Sequence, residues 1–291
     1  MKTIRQLVTI LVILACAIPA AASRLETVKV ESESMHKQID VSVVLPDSYG
    51  ARPLPVVYLL HGYGDNNLLG YLSYTNVRQY ADMFDVVLVI PDGGTNWYFD
   101  SPVDPTIRYE TFVSSELVKY IDKNYLTDAR RERRAVTGLS MGGHGALYLA
   151  IRHQDVFGAA GSMSGGVDFR PFPEKWDIKL RLGDQKTHKE NWDKNTVMAQ
   201  LPLLKDGALQ LVIDCGTEDF FFDVNVKLHE ALTKQGIHHE FTSRPGKHSW
   251  VYWRRSLRDH MYFFNDSNST LSWNLSSTRS TKTPLSILLN E

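Results

Sequence analysis

Gly138-Leu139-Ser140-Met141-Gly142 sets a serine between two glycines in a G-x-S-x-G pentapeptide. A serine hydroxyl attacks an acyl carbon well only when a neighbouring base takes its proton and an acid orients that base. The chain downstream holds candidates for both partners. Three acids compete in Asp214-Cys215-Gly216-Thr217-Glu218-Asp219-Phe220. Asp214 continues an apolar run. Asp219 lies past the Gly216 turn, just before an aromatic run, and is favoured, with Glu218 and Asp214 as alternatives. Among the later histidines, His229 and His260 fall inside helical patterns, while His238 and His239 open a strand. His248 alone lies in a loop past the last predicted strand, in Pro245-Gly246-Lys247-His248-Ser249-Trp250. The chemistry this set implies is acyl transfer through a covalent serine ester, with water as the final acceptor.

Such chemistry needs donors for a developing oxyanion. His61-Gly62-Tyr63-Gly64-Asp65 is a glycine-rich loop at the end of an apolar run, Pro55 to Leu60. The N–H of Tyr63 and that of Met141, the residue after the serine, are the expected pair; His61 reads as structural. Asn96-Trp97-Tyr98 lies in another loop after a strand, and Trp250 comes soon after His248. Trp97, Tyr98 and Trp250 are expected to meet substrate, with packing in the core as the competing role.

Hydrophobic periodicity supplies the elements that position these groups. Leu25 to Glu31 and Gln38 to Leu45 alternate and predict an antiparallel pair, and turn chemistry at Pro46 to Gly50 ends the second of them. Continuous apolar runs at 55–60, 86–90, 135–137, 159–164 and 209–213 predict buried strands of a mostly parallel sheet. A last strand is expected over 238–243. Helices are predicted over 76–83, 109–125, the segment after Ser140, 222–234 and 250–264. Strand, tight turn and helix around Ser140 form the context that gives G-x-S-x-G its meaning. Residues 165–204 break the alternation and predict a largely helical cap, crowded with charge at Asp177, Lys179, Arg181, Asp184, Lys186, Lys189 and Glu190.

Lys2 and Arg5, the apolar run from Leu7 to Ile18 and Ala20-Ala21-Ala22 fit a cleaved signal segment over 1–22. The run is short for a stable membrane span, and secreted or periplasmic placement is expected. Cys16 in Ile13-Leu14-Ala15-Cys16 offers a lipoprotein alternative. Residues 265–291 are rich in Ser, Thr and Asn and read as a disordered tail, leaving 23–264 as one domain. Removal of the signal leaves Cys215 as the single cysteine, expected to be a small buried hydrophobe. A formal net charge of −1 gives no argument for nucleic acid as a partner.

H-G-Y-G-D, G-L-S-M-G-G-H-G-A-L, C-G-T-E-D-F and G-K-H-S-W, in that order, resemble the esterase D group of α/β hydrolases. That group includes S-formylglutathione hydrolases, tributyrin esterases, feruloyl and acetylxylan esterases of carbohydrate esterase family 1, and the antigen 85 mycolyltransferases. The resemblance covers roughly 25–264. It implies an α/β-hydrolase fold with helices on both faces of the sheet, and no metal or organic cofactor. It assigns Ser140 as nucleophile, Asp219 as acid, His248 as base, and Tyr63 and Met141 as oxyanion donors. The expected substrate is a small-molecule or polysaccharide-linked ester, with short acyl groups favoured. Feruloyl or acetylxylan ester hydrolysis is the alternative. S-formylglutathione hydrolysis, acyl transfer and a catalytically inactive binding module rank lower.

Overall fold

The computed structural model describes residues 23–265; the predicted signal segment and all but the first residue of the predicted tail lie outside them. Among the described residues eight strands form one sheet: β1 (Arg24–Ser32), β2 (Lys37–Leu45), β3 (Val56–Leu60), β4 (Val87–Pro91), β5 (Arg134–Leu139), β6 (Ala159–Met163), β7 (Gln210–Gly216) and β8 (Glu240–Arg244). Their order is β1-β2-β4-β3-β5-β6-β7-β8. β2 runs against both neighbours, and every other pairing is parallel.

Ten helices within the same residues accompany the strands: α1 (Gly70–Tyr74), α2 (Val77–Phe84), α3 (Tyr109–Thr111), α4 (Leu117–Asn124), α5 (Met141–Arg152), α6 (Ile178–Leu182), α7 (Lys189–Lys194), α8 (Val197–Gln200), α9 (Phe222–Gln235) and α10 (Trp250–Asn265). The central strands are buried on both faces, which is why they read as unbroken apolar runs. Along β3, Val56, Tyr58 and Leu60 enter one core with α4, α5 and α9. Val57 and Leu59 enter the other, with α1, α2 and α10. Each such aliphatic side chain contributes roughly 1.5–3 kcal/mol by leaving water.

The predicted helix over 109–125 is interrupted by a π-helical turn at Phe112–Glu116 between α3 and α4. Residues 165–204 form a cap of short helices, α6 to α8, joined by loops. Parallel strands deliver their carboxyl ends to one edge of the sheet, and the loops after β3, β5, β7 and β8 meet there. Among the described residues no helix is long and apolar enough to cross a membrane.

Candidate active site

Ser140 sits between β5 and α5 with φ 57° and ψ −116°, a backbone conformation that costs a non-glycine residue on the order of 1–3 kcal/mol. The turn is tight because the flanking glycines allow it: a Cβ on Gly142 would run into the Leu60 carbonyl, and one on Gly138 into the Gly142 backbone. The Ser140 amide is anchored to the Met163 carbonyl at 2.9 Å. The strain therefore lifts the hydroxyl clear of the sheet instead of relaxing.

His248, in the loop between β8 and α10, lies with Nε2 2.8 Å from Ser140 Oγ. Its Nδ1 lies 2.8 Å from Asp219 Oδ2. The Asp219 side chain is fully buried, and Oδ1 accepts the Phe221 amide at 2.9 Å. That amide and the imidazole together satisfy a carboxylate that burial would otherwise penalise heavily. The Asp219 loop is tied to the His248 loop by Glu218 N–H to Gly246 O at 3.0 Å and Thr217 N–H to Arg244 O at 3.0 Å.

The other two acids go elsewhere. Glu218 is on the surface, 3.9 Å from Lys247. Asp214 stays within β7 and binds His260 of α10, 2.8 Å away.

The Gly62-Tyr63 loop comes directly after β3. His61 is buried and braces it: Nδ1 lies 2.8 Å from the Gly62 carbonyl, and Nε2 accepts the Gly93 amide at 2.8 Å. Met141 is the first residue of α5, where amides have no partner within the helix. Among the described residues no backbone carbonyl takes the Tyr63 or Met141 N–H. Both residues thus stand beside Ser140 with donors to spare, and α5 directs the positive end of its dipole at the same place.

A cleft of about 360 Å³ opens over the serine, lined by Tyr63, Leu69, Tyr74, Trp176, Phe220 and Trp250 among others. A larger cavity of about 790 Å³ lies away from it, between α4 and the end of α5. It contains neither Ser140 nor His248, so chemistry and not volume marks the smaller cleft as the site.

Trp250 lines the cleft as expected, its ring stacked on Tyr74 at 5.2 Å and 19°. Trp97 and Tyr98 do not. They are 1% and 0% exposed, packed beneath the loops. Trp97 Nε1 donates to the Trp176 carbonyl at 3.1 Å, and the Tyr98 hydroxyl donates to the His61 carbonyl at 3.2 Å. Their polar tips find partners inside the protein, so the aromatic loop after β4 supports the site from below and leaves substrate to others. Phe220 and Tyr74 line the cleft instead. Phe220 stacks on Trp176 at 5.5 Å and 22° and approaches the His248 ring at 4.3 Å. Its position directly after Asp219 was the available signal; Tyr74, on a five-residue helix, offered none.

Cys215 is buried in β7. Burial pushes its thiol pKa up, away from the reactive thiolate.

A doubly covered, mostly parallel sheet with a strained serine at a strand-to-helix turn, bonded through histidine to a buried aspartate, defines an α/β hydrolase of the serine esterase class. The chain belongs to the Esterase family, described as "Putative esterase", whose pattern matches residues 32–264. It is 30% identical over 236 residues to Esterase Rv1288 of Mycobacterium tuberculosis (strain ATCC 25618 / H37Rv), across 72% of this chain and 52% of that protein. The chain thus spans about half the length of that relative. It is 28% identical over 269 residues to Diacylglycerol acyltransferase/mycolyltransferase Ag85B of Mycobacterium leprae (strain TN), across 80% of each. A solved ferulic acid esterase shares 28% identity and a TM-score of 0.73, covering 83% of this chain and 97% of that one.

Proposed function

We propose that this protein is an exported carboxylesterase that hydrolyses short-chain acyl esters, including sugar-linked ones, through an acyl-enzyme on Ser140. The observation that carries the mechanism is the unbroken chain of two 2.8 Å bonds from Ser140 Oγ through His248 to Asp219. Ser140 Oγ attacks the acyl carbon as its proton passes to His248 Nε2. Asp219, held against Nδ1, orients the ring and stabilises its cation. The carbonyl oxygen becomes an oxyanion and takes the N–H groups of Tyr63 and Met141. Collapse expels the alcohol, which leaves with the proton from His248. Water then attacks the ester of Ser140, gives its proton to His248, and releases the acid as the proton returns to Ser140.

The short-acyl reading is supported by the size of the cleft and by the charged cap above it. Lys179 pairs with Glu174 at 2.6 Å, and Arg170 pairs with Asp168 at 2.7 Å, on a surface unlike an apolar lipase cover. One observation favours a second reading. The stacked pairs Tyr74–Trp250 and Trp176–Phe220 both border the serine, a setting in which a flat feruloyl ring could lie. The similarity to a ferulic acid esterase supports the same reading.

Values of kcat/KM on p-nitrophenyl acetate, butyrate and palmitate, beside methyl ferulate and acetylated xylan, separate the two. Acetate or butyrate leading bears out the first, a hundredfold lead for ferulate promotes the second, and palmitate leading overturns both. Export is tested by intact mass of secreted protein, with an N-terminus at or near Ser23 expected. A lipid on Cys16 or a retained leader overturns simple cleavage.

A further inference from the structure

The loop that carries Tyr63 is held by its own backbone and by one side chain that reaches the cap. Its Gly62 end rests on His61, whose own carbonyl is held by the Tyr98 hydroxyl. Tyr63 and Gly64 form the tip of a turn closed by the Asp65 N–H on the Gly62 carbonyl at 3.2 Å, with Gly64 at φ 79°. Among the described residues the Tyr63 side chain makes a single hydrogen bond, and it crosses to the cap: the hydroxyl donates to Asp177 Oδ2 at 2.8 Å. That bond to the carboxylate raises the Tyr63 phenol pKa, since ionising the ring would set two anions together.

Asp177 is itself placed with unusual care. It stands at the N-cap of α6, where an aspartate ordinarily accepts an amide of the first turn. Here the side chain makes no such bond. Trp176 and Asp177 both sit at φ 53°, conformations disfavoured for residues with side chains. The Trp176 carbonyl is pinned by Trp97 Nε1 at 3.1 Å. Trp97 is in turn buried and at φ 58°. Two strained segments are thus clamped to each other, and the clamp aims the Asp177 carboxylate at Tyr63 instead of at α6.

We propose that Asp177 is a positioning residue that holds the Tyr63 backbone N–H in line with the oxyanion through the Tyr63 hydroxyl, an inference that rests on the esterase reading of Ser140. An oxyanion donor works only within a few tenths of an ångström of its place, because the bond it makes in the transition state is stronger than any it makes to the substrate. A latch on that donor acts on kcat and leaves substrate binding alone.

The test is a double-mutant cycle on p-nitrophenyl acetate with Tyr63→Phe, Asp177→Ala and the double variant, each checked by thermal melting. Each single variant is expected to lose about tenfold in kcat with KM nearly unchanged. The double variant should be no worse than the poorer single. Asp177→Asn keeps an oxygen that accepts the phenol and should recover most of the kcat lost in Asp177→Ala. Affinity for an alkylboronic acid, which mimics the tetrahedral intermediate, should fall in step with kcat. Unchanged kcat in Tyr63→Phe, additive losses in the double variant, or losses confined to KM would overturn the latch. If Asp177→Ala fails to fold, Tyr63→Phe alone decides. Ser140→Ala run in parallel separates the two ideas: activity surviving there defeats the esterase site itself, whereas a dead Ser140→Ala beside a normal Tyr63→Phe defeats only the latch.

Discussion

His260 Nε2 lies 2.8 Å from Asp214 Oδ2, a second acid–imidazole pair in the same protein, buried between the sheet and α10. Its other ring nitrogen meets Thr137 Oγ1 at 2.8 Å, and Ser256 Oγ donates to Asp214 Oδ1 at 2.6 Å. All four residues are nearly inaccessible. The network joins β5, β7 and α10 and offers no route for a substrate. Two aspartates five positions apart therefore have separable duties. Asp219→Asn should lower kcat by about 10⁴ while barely moving the melting temperature. Asp214→Asn should cost about 3–5 kcal/mol of stability, as expected for breaking a buried pair, and leave kcat of the folded protein close to wild type. Kinetics and thermal melts on both variants check this, and a crippled kcat in well-folded Asp214→Asn would reverse the assignment.

Ser140 should be the one covalent nucleophile. Ser140→Ala is expected to lose on the order of 10⁴–10⁶ in kcat. A fluorophosphonate should label the wild type at Ser140, located by peptide mass, and should not label the variant. Because Ser140 holds a strained φ of 57°, Ser140→Gly should also raise the melting temperature. An unchanged or lower melting point would show that the Ser140 side chain contributes more to stability than its backbone strain costs.

The strands were legible because parallel strands buried on both faces leave an unmistakable apolar run, as in Val56 to Leu60. The Ser140, Asp219 and His248 set was legible for a different reason: chain order and loop position exclude most rivals before any geometry is known. What periodicity cannot show is which loop turns inward. Asn96-Trp97-Tyr98 looks like a pocket wall because it comes after a strand, yet both rings are buried by bonds to carbonyls at His61 and Trp176, positions that sequence spacing does not relate to it. The π-helical turn at 112–116 was hidden inside an ordinary amphipathic pattern. Asp177 was visible only as one charge among many in the cap. Its partner Tyr63 is 114 residues away, and the left-handed backbone that aims it leaves no mark on a sequence without glycine there.

His144, one turn into α5, is fully buried, and burial lowers its pKa from 6.5 to about 4. Nε2 lies 2.9 Å from the Asn195 carbonyl and Nδ1 3.2 Å from the Trp97 carbonyl. Both partners are acceptors, so the neutral ring donates to one of the two carbonyls. In the unfolded chain the same imidazole takes a proton near pH 6.5, so between pH 6.5 and about 4 the unfolded state binds more protons. The stability this neutral ring contributes is complete above pH 6.5 and is lost as pH falls toward 4. The variant His144→Gln lacks that titration. Its unfolding free energy should therefore fall less than that of wild type between pH 7 and pH 4.5, by roughly 2–3 kcal/mol. Denaturant melts at the two pH values measure the difference, and parallel declines in the two proteins would refute it.

Tyr74 offers the sharpest probe of substrate choice, because its ring is about half exposed yet is oriented by stacking on Trp250 at 5.2 Å. Its ring contact is with Trp250, whereas the loss of Phe220 would also disturb the imidazole that Phe220 packs against at 4.3 Å. If the Tyr74–Trp250 pair forms one wall for a flat acyl group, Tyr74→Ala removes binding surface that an acetyl group never reaches. An aromatic contact of this kind is worth about 0.5–1.5 kcal/mol beyond its buried area, so a loss of about tenfold in kcat/KM on methyl ferulate is expected. The loss should appear in KM, since the same contact serves ground and transition states alike. Activity on p-nitrophenyl acetate should stay within about twofold, in line with a surface substitution away from the reacting groups. Equal losses on both esters would mean that Tyr74 only packs the rim, and the aromatic-acyl reading would lose the wall on which it depends.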